Sequence, residues 1–179
     1  MFSCVFIKAV PVLALTGTAD KETQKVICEK LLMTHPITIF VSPNRTNLRF
    51  SVTKCKKDDM HVQLDWLVEM IKEQGVNVAK TLIFCNTLKE IAIVVDNLLV
   101  KLGDHAFYPS SSTEKKDLII GIYHSTSWSE SKERIMKSLR EDGSKRIVVT
   151  TTALSMGVNF PNIRYIINWG PPRTLLDFH

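Results

Sequence analysis

The stretch "TLIFCNTLKEIAIVVDNLLVKL", Thr81 to Leu102, decides the fold. "TLIFC" has the composition of a strand. Thr87-x-x-Glu90 then has the spacing of a capping box, in which a hydroxyl and a carboxylate satisfy free N–H groups of a helix's first turn. Beyond it, Ile91, Val94, Val95, Leu98 and Leu102 recur at helical spacing and form one apolar side. A strand running through a cap into an amphipathic helix is half of a βαβ unit.

The pattern continues in both directions. Downstream, "LIIGIYH" is a strand, Ser127-x-x-Glu130 caps the helix "ESKERIMKSLRED", and "RIVVT" and "IRYIIN" are further strands. "RTLLDFH" opens another helix. The stretch Gly103 to Asp117 has loop chemistry and no periodicity, so residues 103–117 form an exposed insertion. Upstream, "DDMHVQLDWLVEMIKEQG" puts Met60, Leu64, Leu67, Val68 and Ile71 on one helical face, and Gly75 ends it. "VPVLAL" (Val10 to Leu15), "ITIFV" (Ile37 to Val41) and "LRFSVTK" (Leu48 to Lys54) read as strands. "KETQKVICEKLL" reads as a helix with Asp20 as its N-cap. Such alternation implies an α/β fold, a parallel sheet with helices on both faces. "SPNRTN" looks like a linker, dividing the chain into a stub, residues 1–42, and a larger unit, residues 43–179. The stub's strands would expose apolar faces and open edges.

The chain has 179 residues, 45% of them hydrophobic, with a net charge of +5. That composition supports a buried core, and the mild basicity permits a polyanionic partner. Cys4, Cys28, Cys55 and Cys85 are scattered without metal or redox-dithiol spacing, as befits reduced thiols of an intracellular protein. "MFSCVFIKAVPVLAL" is too short to span a bilayer, so no membrane segment is expected.

In an open parallel sheet, ligands bind at the loops that follow the strand C-termini. Those loops read "TGTAD", "CNTLKE", "HSTSW" and "TTALSMGVNFP". Their order and spacing resemble the motifs of second-superfamily helicases, the RecQ group in particular. "LALTGTA" looks like motif III and "NRTNLRF" like the junction between two RecA-like lobes. "TLIFCNT" is similar to motif IV, "IVVTTTALSMGVNFPNIRYIINW" to motif V, and "PPRTLLDFH" to the lead-in to motif VI. The resemblance runs from about Val10 to His179. Motifs IV and V are shared with DEAD-box RNA helicases; "ALTGTA" and "NRTNL" favour RecQ.

The resemblance implies an ATP-dependent DNA helicase fragment, the end of a first RecA-like lobe and most of a second. The crossover from Thr150 to Pro161 would touch both nucleic acid and nucleotide. Its small residues Ala153, Ser155 and Gly157 would let main-chain amides approach phosphates. Thr150 and Thr151 would offer hydroxyls to a phosphate, and Asn159 falls near the nucleotide ribose. Asn86, Thr87, His124 and Ser125 would contact the strand backbone. Thr16 and Thr18 would couple the ATP state to strand binding. Arg45 and Arg49 begin a basic run ending in Lys54, Lys56 and Lys57 that could follow a phosphate backbone or be a solvated face. Each assignment has a structural alternative: Thr87 as a helix cap, Thr16 to Thr18 and His124-Ser125 as turns, the crossover as geometry alone. The chain departs from the family pattern at Leu88, where Arg is usual, and at Thr126, where Gly is usual. Trp66, Trp128 and Trp169 could stack on bases, with Trp66 expected in the core.

The chain contains no G-x-x-x-x-G-K-[ST] and no Asp-Glu-x-His box, and it ends before the motif VI arginines. It is therefore expected to be inactive alone, with no catalytic residue and no metal site of its own. In the intact protein the resemblance implies ATP and Mg2+ held mainly by the first lobe, 3′ to 5′ movement on single-stranded DNA, and nuclear residence in a eukaryote. The alternatives are a non-catalytic nucleic-acid-binding module derived from a helicase lobe, or a DEAD-box-type RNA helicase fragment.

Overall fold

Strand β1 (Lys80–Cys85) lies inside a four-stranded sheet, between β3 (Ile147–Thr150) and β4 (Ile163–Trp169), with β2 (Ile120–Tyr123) outside β3. The computed structural model describes residues 11–17, 19–41, 45–141, 143–154 and 159–171. The chain divides into two compact units, Met1–Thr53 and Lys54–His179.

In the first unit, helix α1 (Lys21–Lys30) starts at Asp20, whose carboxylate accepts the Thr23 N–H at 2.7 Å. Hydrogen bonding from Thr23 holds the Asp20 carboxyl below the usual carboxylate range. The strands expected near 10–15, 37–41 and 48–54 are corrected: no described residue of these segments pairs in a sheet. Their apolar residues are open to solvent, Leu15 at 86%, Ile37 at 92% and Val52 at 88%. A parallel strand needs a hydrogen-bonded neighbour and cover on both faces, and apolar β-branched sequence supplies neither.

The second unit is the parallel α/β fold. Every strand pair is parallel, with Leu82 opposite Val148 and Ile166, and Gly121 opposite Val148. Helices α2 (Asp65–Gln74) and α3 (Leu88–Leu102) cover one face. There Leu67, Ile71, Val94 and Leu98 bury against Ile83, Ile147 and Val149. Helix α4 (Ser129–Arg140) covers the other, where Ile135 and Leu139 meet Leu82 and Val148. All five residues of the expected apolar side of α3 are buried, and its capping box forms. Burial of one such side chain contributes about 1.5–3 kcal/mol.

Several local features refine the expected elements. The segment before α2, Lys57–Leu64, is 3₁₀ rather than α. The Lys101 ammonium ties its end to α3, donating to the His61 carbonyl at 3.1 Å and to the Asp65 carboxylate. Gly75 ends α2 with a φ of 55°, a conformation that disfavours any other residue. Gly121 lets α4 approach the sheet, since a Cβ there would meet the Ile135 side chain at 3.0 Å. The 103–117 insertion is largely exposed but tethered: Tyr108 N–H donates to the Asp117 carbonyl at 2.8 Å. The buried Lys145 ammonium donates to the carbonyls of Lys116, at 2.8 Å, and Leu118. The helix expected over "RTLLDFH" lies outside the described residues. Among the described residues, no helix is long and apolar enough to cross a membrane.

Candidate nucleic-acid interface

Parallel pairing aligns all four strand C-termini along one edge of the sheet, in the order β2, β3, β1, β4. The loops leaving that edge begin at His124, Thr151, Asn86 and Gly170. One edge of one unit therefore holds Asn86, Thr87, His124, Ser125 and Thr151.

At the end of β1, the Glu90 carboxylate accepts the N–H groups of Asn86 at 2.8 Å and Thr87 at 3.1 Å. The Thr87 hydroxyl accepts the Glu90 N–H at 3.2 Å. As an acceptor in the cap, the exposed hydroxyl keeps its own hydrogen to donate outward. The Asn86 amide donates to the Pro171 carbonyl at 3.1 Å, joining the ends of β1 and β4. Leu88, beside them, is 52% exposed and offers no polar group.

At the end of β2, a closed turn holds His124 and Ser125. Ser127 Oγ accepts the His124 N–H at 3.0 Å, and the Ser127 N–H returns to the His124 carbonyl at 3.1 Å. Ser127 therefore does not cap α4, as expected from sequence; Trp128 occupies the N-cap position without a side-chain bond. Thr126 Oγ1 lies 2.9 Å from His124 Nδ1, a contact that glycine could not make. Lys132 Nζ donates to the Ser125 carbonyl at 2.6 Å and lies 5.9 Å from the centroid of the Tyr123 ring. Sequence reasoning noted Thr126 as a departure from the family pattern but missed Lys132 as part of this turn. Lys132 sits seven residues beyond Ser125, and only the bend between β2 and α4 brings it back.

At the end of β3, the two threonines part ways. Thr150 is fully buried and its hydroxyl donates to the Thr151 carbonyl at 2.8 Å, so it presents no hydroxyl at the surface. Thr151 is half-buried, and its hydroxyl accepts the Ala153 N–H at 3.4 Å. The described ends of the crossover lie on the α4 side of the sheet. Leu154 buries beside Leu82, Val148 and Leu139, and Phe160 packs against that cluster. Asn159 is exposed. Ser155 and Gly157 lie outside the described residues.

Thr16, Arg45 and Arg49 are exposed in the first unit, and Thr18 lies outside the described residues. Trp169 is buried. Trp66 is not the core residue expected from its helix face; it is 43% exposed and meets the Tyr165 ring edge-on, centroids 5.0 Å apart. Trp128 is 87% exposed. Cys85, just before Asn86, is buried. Burial, and then the Glu90 charge, push its thiol up to about 12, which makes it inert as a nucleophile. No group of three or more His, Cys, Asp or Glu among the described residues could hold a metal ion.

The family described as "Helicase conserved C-terminal domain" matches residues 62–179. The chain is 27% identical over 172 residues to the RecQ-like DNA helicase BLM of Xenopus laevis, covering 96% of this chain and 11% of that protein. It is 29% identical to the putative ATP-dependent RNA helicase R290 of Acanthamoeba polyphaga mimivirus, covering 95% of this chain and 27% of that protein. RecQ-like names recur among several relatives, at 22–27% identity over most of the chain. Among solved structures, Dbp5 of S. cerevisiae bound to RNA and ADP BeF3 superimposes with a TM-score of 0.58 at 18% identity, over 89% of this chain and 36% of that one. That likeness agrees with the RecA-like arrangement of the sheet. The chain thus spans between a tenth and a third of the curated relatives' lengths.

Proposed function

Because this chain belongs to the helicase conserved C-terminal domain family, we propose that it serves as the second RecA-like lobe, with the end of the first, of a RecQ-like ATP-dependent DNA helicase. The observation that carries this proposal is the convergence of Asn86, Thr87, His124, Ser125 and Thr151 on the strand C-terminal edge. Hydroxyl and amide donors at that edge grip phosphate oxygens. Thr87 donates the hydrogen that its cap leaves free, Ser125 is exposed on the turn braced by Lys132, and Asn86 holds the β1 and β4 ends together. Thr150 acts beneath the surface, fixing the Thr151 carbonyl.

ATP with Mg2+ supplies the free energy of movement in the whole protein. The described donor set does not fit the metal ion, which we assign to the first lobe together with most of the nucleotide. Asn159 has an exposed amide able to hold a ribose hydroxyl. Thr16 and Thr18, in the first unit, would couple the ATP state to strand binding. Arg45 and Arg49, also in the first unit, would add charge along the strand. Nuclear residence is the corresponding proposal for a eukaryotic source.

The edge donors read phosphate, which DNA and RNA share. The experiment therefore compares oligo(dT) and oligo(U) binding to the chain, and 3′- and 5′-tailed duplex unwinding by the whole protein. Preferred DNA binding with ATP-dependent unwinding from a 3′ tail is expected. RNA-only binding would move the assignment to an RNA helicase. Binding by the chain without any ATP hydrolysis by the whole protein would make it a non-catalytic module.

A further inference from the structure

We infer that Trp128 is a stacking platform for an unpaired nucleobase, so that the edge distinguishes single-stranded from duplex nucleic acid. This inference rests on the nucleic-acid reading of the strand C-terminal edge and adds to it a contact to bases, which the phosphate donors do not provide.

Three tryptophans occupy three different settings. Trp169 is buried, and Trp66 is partly exposed and meets the Tyr165 ring edge-on. Trp128 is 87% exposed and takes no part in either core cluster. A single exposed apolar ring is ordinary on a protein surface, and it is the position of this one that gives it a use. It directly follows the turn that carries His124 and Ser125, at the N-cap of α4.

The backbone beneath the ring is held on both sides. The reciprocal bonds of His124 and Ser127 close the turn before it, and the Trp128 carbonyl accepts the Lys132 N–H at 3.0 Å to begin α4. The Lys132 ammonium is engaged with the Ser125 carbonyl, which ties the first turn of the helix to the loop. With the backbone already held, seating a flat partner costs only the ordering of the indole's two side-chain torsions. Each base has such a face, and a base inside a duplex has that face covered by its neighbours. The ring therefore selects unpaired strands without selecting sequence.

The test uses the full chain, with oligo(dT), an abasic strand of equal length and a duplex as probes. Oligo(dT) should quench tryptophan emission, because the most exposed indole is the one at the edge. Trp128→Ala should weaken oligo(dT) binding about tenfold, the scale of one base–aromatic stack. Its salt slope should stay unchanged, since stacking releases no counterions. Trp128→Phe should retain most of the affinity, and the abasic strand and duplex should bind wild-type and Trp128→Ala equally. Equal affinity of wild-type and Trp128→Ala for oligo(dT), with salt-dependent binding intact, overturns the inference alone. Absence of any salt-dependent binding by the wild-type chain overturns the nucleic-acid reading and this inference with it.

Discussion

The Asn86 side-chain amide donates to the main-chain carbonyl of Pro171 at 3.1 Å, across 85 residues of sequence. The bond ties the exit of the second-from-last strand position in the sheet to the exit of edge strand β4. Asn86→Ala should therefore lower stability by about 0.5–1.5 kcal/mol, the net worth of one such bond. A lower urea midpoint at unchanged slope would register it. An unchanged midpoint would mean that the bond does not join these strand ends in solution.

Thr87 has two roles that one substitution separates. Thr87→Asp keeps a strong N-cap acceptor for the Glu90 N–H but removes the outward hydrogen and adds negative charge. Stability should change by less than about 0.5 kcal/mol, within the spread among good caps. Oligonucleotide affinity should fall at least about tenfold, the effect of 1.4 kcal/mol in binding. Thr87→Ala should instead cost about 1 kcal/mol of stability. Anisotropy and urea titrations on both variants check the split.

How far the sequence could be read depended on how local each signal was. Thr87, Glu90 and the apolar side of α3 are set by residues within four positions of one another, and they form as spacing dictates. The segments at 37–41 and 48–54 have strand composition, but their pairing depends on distant chain. Ser127 has the spacing of a cap, yet its oxygen accepts from His124 instead. Thr150 and Thr151 look alike in sequence. Only the sheet order reveals that Thr150 lies on a central strand, opposite both Phe84 and Tyr123, and is thereby buried.

Cys85 should resist alkylation. Its thiol is buried and pushed up to about 12, whereas Cys28 and Cys55 are half-buried. Iodoacetamide labelling of the folded chain near neutral pH, read by peptide mass spectrometry, should modify Cys28 and Cys55 well before Cys85. Equal rates would show that the start of the β1–α3 loop opens readily.

Lys145 gives a pH dependence. Burial first, and then the Arg134 charge, lower its ammonium from 10.5 to about 8. Below about 8 both states carry the proton and the burial cost is present in full. Between about 8 and 10.5 the unfolded chain binds the proton and the native chain does not, so stability rises with pH. Relative to Lys145→Met, the wild-type chain should gain on the order of 1 kcal/mol per pH unit across that window. Urea titrations of both chains at neutral pH and near pH 10 measure it. A constant difference would place the ammonium in solvent.

The central claim is that the strand C-terminal edge of the second unit binds nucleic-acid backbone. The most direct measurement is a titration of the isotopically labelled chain with oligo(dT), followed by amide chemical shifts at low and high salt. Salt-dependent shifts gathered at residues 86–88, 124–128 and 151–153 are the predicted result. Saturable binding whose shifts fall elsewhere, or no shifts at low salt, would contradict it.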